Sequence, residues 1–128
     1  MEINLPGPKA EMEHAFARYE AALVGNQVEI LDELFLDSGS TIRYGIGENL
    51  YGIEAVRAFR AGRAASGLER RLERTVITTY GNDCATASTL FYRDSAPGKV
   101  GRQMQTWIRT ADGWRVAAAH VSIIDNPA

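Results

Sequence analysis

Cysteine is almost absent from this sequence: Cys84 is the only one among 128 residues. A single cysteine cannot form a disulfide within the chain, so the fold has to depend on a hydrophobic core. Hydrophobic residues make up 45% of the chain, which is enough for such a core and argues against intrinsic disorder. We therefore expect one domain over residues 1–128, with Cys84 as a small buried side chain rather than a nucleophile.

Long apolar runs and an excess of positive charge are also absent. No run approaches the roughly 18–20 residues of a membrane-spanning helix, and the first residues lack the apolar segment of a signal peptide. The formal net charge is −2, so the chain lacks the broad basic surface that binds nucleic acid. We expect a cytoplasmic protein that binds neither membranes nor nucleic acid.

The common motifs for metals and cofactors are missing as well. The two histidines, His14 and His120, do not form an H-E-x-x-H motif, and no cysteine cluster accompanies them. The glycines at positions 45, 47 and 52 do not open a helix in the register of a phosphate-binding loop. We predict a protein without a metal and without a cofactor.

Arginine, in contrast, is abundant, because only Lys9 and Lys99 among the fourteen basic residues are lysine. The planar guanidinium binds a carboxylate through two parallel hydrogen bonds, which the lysine ammonium cannot do. Codon usage in a GC-rich genome produces the same bias. Composition alone therefore does not indicate a carboxylate ligand.

The first half of the chain predicts helices. Apolar residues recur every three or four positions over residues 8–25, which predicts the first helix. Asn26 and Glu29 have the spacing of a capping box for the second helix, which ends near residue 38. A third helix is predicted over residues 53–65. The segment 41–52 is punctuated by glycines and predicts a short strand followed by a small hairpin or bent strand around residues 48–50.

The second half predicts four long strands joined by tight turns that contain Gly, Asn, Asp or Pro. They cover residues 68–80, 84–93, 99–110 and 114–124. Alternation along the last strand places His120 on one face with Trp114, and gives the other face to Ala117, Ala119, Val121 and Ile123. Both faces are apolar, so we expect helices on one side and a second copy of the chain on the other, as a homodimer.

The order of these elements resembles the nuclear transport factor 2-like (SnoaL-like) cone fold. Four segments are similar to the AtzH-like family, and the resemblance spans about residues 10–124. It implies an α+β fold in which three N-terminal helices pack in a curved antiparallel sheet of four long strands plus a short hairpin. The segments are FARYEAAL (16–23), RYGIGENLYG (43–52), GRQMQTW (101–107) and GWRVAAAHVS (113–122).

The AtzH-like family includes proteins assigned to oxalurate catabolism and to cyanuric-acid breakdown, and amide hydrolysis of a dicarboxylated urea has been described for it. The resemblance therefore implies a small, cofactor-free cavity that hydrolyses a carboxylated urea or ureide. It also implies an association with the amidases of those pathways. Tyr19 and Arg43 are the cavity residues that the matching segments imply.

The predicted catalytic residues are Tyr19, Arg43 and His120, and the predicted substrate-binding residues are Arg43, Gln105 and Trp107. Each of the three catalytic candidates has a structural alternative. Tyr19 lies on the apolar face of the first helix, where a hydrogen bond to a backbone carbonyl would satisfy it. Arg43 fits either a carboxylate anchor or a salt bridge, for example to Glu48. His120 is either a core histidine or a pocket group that titrates near neutrality.

Two other functions stay open beside hydrolysis. The first is a non-catalytic protein that binds a carboxylate or acts as an accessory subunit of an amidase. The second is a cone-fold isomerase, cyclase or dehydratase. An inward-facing Asp or Glu near Tyr19 would favour the second alternative, and an empty cavity poor in solvent would favour the first.

Overall fold

The structure is a computed structural model that describes residues 1–65 and 67–127. It has the α+β architecture predicted from the sequence, with three helices and six strands within these ranges. In chain order they are α1 (Pro6–Val24), α2 (Val28–Leu34), β1 (Ile42–Tyr44), β2 (Asn49–Tyr51), α3 (Ile53–Ala61), β3 (Arg71–Tyr80), β4 (Cys84–Tyr92), β5 (Lys99–Thr110) and β6 (Gly113–Asp125).

The strands form one six-stranded sheet in the order β2-β1-β6-β5-β4-β3. Strands β3 to β6 are the predicted antiparallel meander. The predicted short hairpin is formed by β1 and β2, and it is part of one six-stranded sheet, because β1 also pairs in parallel with β6. In this pairing Arg43 lies beside Ala119. The sheet therefore extends past the last strand of the meander, and Arg43 becomes part of its inner face.

The helices cover the inner face of the sheet. The apolar side of α1 buries Met12, Phe16 and Tyr19 against a core that includes Trp107 and Val116 from β5 and β6. This is the helix face that the spacing of three and four predicts. None of the helices described for residues 1–65 and 67–127 is long and apolar enough to cross a membrane.

Several helix ends differ from the sequence prediction: α1 begins at Pro6 rather than near residue 8, and α2 ends at Leu34 rather than near residue 38. The second helix begins at Val28, and Asn26 adopts a left-handed φ of 48° without capping it. The capping box is therefore wrong, since Asn26 belongs to the turn that redirects the chain after α1. Helix α3 ends at Ala61 because Gly62 caps it through its backbone N–H, so residues 62–65 lie outside the helix.

A β-bulge reverses the faces of β6. Val116 pairs with Trp107 and Ala118 pairs with Thr106, so that Ala117 between them has no partner. One extra residue in a strand moves every later side chain to the opposite face. The predicted face assignment is therefore wrong after this point: Ala119 and Val121 are buried under the helices, and His120 is exposed on the outer face.

Phe91 occupies the space above Gly101 on the neighbouring strand. A Cβ at position 101 would overlap the Phe91 ring, which is buried. The same ring supports two guanidinium groups, Arg70 at 4.7 Å and Arg93 at 4.9 Å from its centroid. Gly101 therefore leaves the space that the Phe91 ring needs, and this ring in turn supports Arg70 and Arg93.

We expect Gly101→Ala to lower the free energy of unfolding by about 1–3 kcal/mol, because the added methyl group overpacks the Phe91 ring. Urea unfolding followed by circular dichroism measures the change. Gly7→Ala is the matched control, because a Cβ there has no neighbour within 4 Å and lies in α1. Equal stability of Gly101→Ala and wild type would mean that the ring moves aside easily.

Candidate functional site

A cavity of about 180 Å³ lies between the helices and the inner face of the sheet. Tyr19 of α1 and Phe59 of α3 line it from above, and Gln103 and Val121 of the sheet form part of its floor. Its volume is below the roughly 300 Å³ at which pockets for drug-sized ligands begin, so it fits a small metabolite. A larger groove of about 700 Å³ adjoins the cavity and shares Gly67, Leu68 and Arg70 with it.

Arginine dominates the cavity wall. Four guanidinium-bearing side chains line it, and Glu48 is the only acidic side chain among the described lining residues. The four are Arg43, Arg63, Arg70 and Arg93. Such an excess of positive charge in a partly enclosed space attracts an anion, unless other carboxylates neutralise the arginines.

Arg43 is neutralised within the cavity wall. Its Nη1 donates a hydrogen bond of 2.9 Å to Oε1 of Glu48, and the side chain of Arg43 is only 14% exposed. The backbone N–H of Gly47 donates to Oε2 of the same carboxylate. The close approach of Glu48 and Arg43 requires a glycine at position 45, since a Cβ there would overlap the Glu48 carboxylate.

Arg70 is neutralised as well, by two hydrogen bonds to Glu20 of α1. Its Nε donates to Oε2 over 2.9 Å and its Nη2 donates to Oε1 over 2.6 Å. The same Nη2 also donates to Oε1 of Gln103 over 3.0 Å. Arg70 is therefore fully engaged in holding α1 to the sheet.

Arg63 and Arg93 have no carboxylate partner among the described residues. Three of their donor atoms, Nε and Nη2 of Arg63 and Nε of Arg93, are buried without a hydrogen bond. Burial lowers the pKa of both guanidinium groups. Repulsion from Arg60 and Arg43 lowers the pKa of Arg63 further. Repulsion from Arg70 does the same to the pKa of Arg93. Among the described residues neither arginine forms an ion pair, and only the more distant charge of Glu20 partly offsets the lowered pKa of Arg93.

Tyr19 belongs to the same cavity wall. Its ring is 4% exposed and contacts Trp107 edge-on, with the ring centroids 6.1 Å apart. Tyr19 lines the same cavity as Arg63 and Arg93. A tyrosine hydroxyl can both donate and accept a hydrogen bond, so Tyr19 adds a neutral polar group to a wall dominated by arginine.

The structure brings together two of the five predicted site residues. Tyr19 and Arg43 line the same cavity. Gln105 and Trp107 lie in the core instead, where Trp107 Nε1 donates to Gln105 Oε1 over 2.9 Å. His120 lies on the outer face, with its ring 5.9 Å from that of Tyr44, because the bulge turned it away from the helices.

Sequence analysis missed the three residues that leave donors unsatisfied in the cavity. Arg63 follows α3, Arg93 follows β4, and Gln103 is two residues before the predicted Gln105. Both arginines lie at the ends of the elements predicted over residues 53–65 and 84–93, where hydrophobic periodicity does not distinguish a cavity residue from a solvated one. The excess of arginine over lysine was the one available signal. Within the described residues no group of His, Cys, Asp and Glu could hold a metal ion.

We expect Arg63→Met to raise the free energy of unfolding of the ligand-free protein by about 0.5–2 kcal/mol, because it removes a half-buried, unpaired charge and keeps the aliphatic stem. Urea unfolding in a buffer without carboxylate or phosphate measures this. Arg18→Met is the control, since Arg18 is exposed and pairs with Glu33 on the surface. Its effect stays within about 0.5 kcal/mol. A loss of stability in Arg63→Met would contradict the assignment of uncompensated charge.

Comparisons with known proteins agree with this fold. The model of the AtzH-like family matches residues 1–127. A protein of unknown function of the DUF3225 family from Pectobacterium atrosepticum SCRI1043 is 55% identical, with a TM-score of 0.94 over 96% of this chain and 95% of that chain. A cystatin-like fold protein from Burkholderia xenovorans LB400 is 49% identical, with a TM-score of 0.95 over 99% of each chain.

A more distant structure is a nuclear transport factor 2-like superfamily protein from Salmonella enterica serovar Typhimurium. It is 20% identical, with a TM-score of 0.73 over 94% of each chain. At this identity the similarity indicates the fold alone. No curated protein matches the chain. The chain therefore belongs to the AtzH-like family and has the nuclear transport factor 2-like, cystatin-like α+β fold.

Proposed function

We propose that the cavity binds a small carboxylated urea or ureide, of the oxalurate or dicarboxyurea type, and hydrolyses one of its C–N bonds without a cofactor. The observation that carries this proposal is the pair of half-buried arginines, Arg63 and Arg93, that have no carboxylate partner in the described chain. A ligand with two carboxylates, of the dicarboxyurea type, would replace the missing partners of both arginines, and a ligand with one carboxylate, such as oxalurate, would replace the partner of one.

The free energy of binding would come from charges that are already desolvated. Folding has removed Arg63 and Arg93 partly from water, so an incoming carboxylate forms charge-assisted hydrogen bonds at a reduced desolvation cost for the protein. Arg43 has donor groups beyond the one that Glu48 engages, since a guanidinium carries five N–H groups. It can therefore hold an anionic group while it stays paired.

Tyr19 is the group best placed to assist the chemistry. In hydrolysis, water adds to the carbonyl carbon, the C–N bond breaks, and the leaving nitrogen receives a proton. A tyrosine hydroxyl beside the arginines can donate that proton or orient the water. His120 takes no part in this proposal, because it lies on the outer face of the sheet.

An isomerase, cyclase or dehydratase on the same fold needs a cavity carboxylate as a base. Glu48 lines the cavity and is the observation that favours this second candidate. Both of its oxygens, however, already accept hydrogen bonds, Oε1 from Arg43 and Oε2 from the Gly47 N–H. Proton abstraction by Glu48 would have to break this arrangement, so hydrolysis assisted by Tyr19 remains the better supported function.

Calorimetry and ¹³C NMR of purified protein with oxalurate and with allophanate test the proposal. We expect binding and turnover in the wild type, retained binding with lost turnover in Tyr19→Phe, and an affinity reduced about 10- to 150-fold in Arg63→Met. Tyr51→Phe is the control, because Tyr51 is exposed and outside the cavity. Binding without turnover in the wild type would leave a carboxylate-binding or amidase-accessory protein, and absence of binding would overturn the proposal.

We also propose that the chain forms a homodimer through the outer face of the sheet, with a surface that differs from the predicted one. The support is an apolar groove of about 290 Å³ on that face, in which Met104 is 54% exposed. Tyr44, His120 and Ala118 also line this groove. An exposed apolar face of this kind can pack against the same face of a second copy across a two-fold axis, which would remove it from water.

Light scattering tests the dimer. We expect the wild type to have twice the chain mass of 14.0 kDa, and Met104→Glu to be a monomer, because each interface would bury two new carboxylates. Val76→Glu is the control, since Val76 is equally exposed on strand β3 at the far edge of the sheet. A monomeric wild type at micromolar concentration would contradict the proposal.

A further inference from the structure

We propose that Gln103 is the specificity-determining residue of the cavity, and that its Nε2 donates a hydrogen bond to an uncharged carbonyl oxygen located between the anionic groups of the ligand. This inference rests on the proposed function in that an anionic ligand occupies the cavity. It adds what the arginines alone cannot provide, namely recognition of a carbonyl rather than of charge.

Gln103 is buried and incompletely satisfied. The residue is 2% exposed, lines the cavity, and has an Nε2 that lacks any hydrogen-bond partner. A buried amide donor without a partner costs about 1–3 kcal/mol. A ligand acceptor in the cavity would remove that cost.

The orientation of the amide is fixed by its neighbours. Oε1 of Gln103 accepts a hydrogen bond from Arg70 Nη2, and Arg70 is held by the two hydrogen bonds to Glu20 and by the Phe91 ring. Rotating the amide by 180° would bring its NH₂ group against another donor. The group available to the ligand is therefore an N–H donor and not an acceptor.

The position of Gln103 indicates a neutral ligand group. In the sheet, β5 is next to β4, which Arg93 follows, and β6 separates β5 on its other side from β1, which carries Arg43. Gln103 thus presents a neutral donor between charged ones. Guanidinium groups bind carboxylates more strongly than an amide does, so carboxylates go to the arginines and the amide is left for the carbonyl that joins them.

Gln105 provides a natural control on the same strand. Its Oε1 accepts from Trp107 Nε1, and its Nε2 is likewise buried without a partner. It shares the inner face with Gln103 but does not line the cavity. Substitution of either glutamine removes a buried amide, whereas only the Gln103 substitution removes a donor that faces the ligand.

Two dianions that differ by one carbonyl group test the inference: 3-oxoglutarate carries a central ketone, and glutarate has a methylene in its place. By calorimetry we expect the wild type to bind 3-oxoglutarate about tenfold more tightly than glutarate. Gln103→Met should bind the two dianions equally, and Gln105→Met should keep the tenfold preference. Circular dichroism checks that both variants fold. If Gln103→Met does not fold, Gln103→Glu replaces it, because Arg70 can still donate a hydrogen bond to the glutamate.

The outcomes separate the two proposals. Equal affinity of the wild type for both dianions, or a preference retained in the Gln103 variant, would overturn the role of Gln103 and leave the anion site intact. A preference lost in both glutamine variants would overturn it too, because it would indicate a general effect of core substitution. If the wild type binds neither dianion, the anion cavity is wrong and the role of Gln103 falls with it.

Discussion

The ion pair between Arg70 and Glu20 is the interaction on which the cavity depends. It joins α1 to the sheet through two hydrogen bonds, and its guanidinium rests on Phe91. Because both carboxylate oxygens of Glu20 accept hydrogen bonds from Arg70, Glu20 attracts the adjacent Arg93 without forming an ion pair with it, while Arg70 repels Arg93. The same Arg70 orients the amide of Gln103. The Arg70–Glu20 pair therefore holds α1 against the sheet and orients the Gln103 amide, and it leaves Arg93 without an ion pair.

Uncompensated charge separates this cavity from an ordinary part of the core. The chain neutralises Arg43 with Glu48 and also Arg60 with Asp32, so carboxylates are available to buried arginines elsewhere. At Arg63 the chain instead retains buried donors without partners. Such groups reduce stability in the free protein and become favourable only when an anion binds. A cost of this kind is expected where a site is prepared for a ligand.

The bulge at Ala117 determines which side chains of β6 face the helices and which face outward. Before it, Trp114 and Val116 face the helices; after it, Ala119 and Val121 take their place and His120 faces outward. The floor of the cavity is consequently apolar at β6. Without the bulge, an imidazole would lie under the helices, and the outer groove beside Tyr44 would lose one of its walls.

The sequence by itself determined the order of the helices and long strands, and it placed Tyr19 on the buried face of α1, because hydrophobic periodicity is a local property. It also carried the family, through four short segments. Only the tertiary structure decided that β1 pairs with β6, that the bulge moves His120 outward, and that Arg43 is paired while Arg63 and Arg93 are not. The physical reason is that register, bulges and charge compensation depend on contacts between residues distant in the chain, which no local pattern contains.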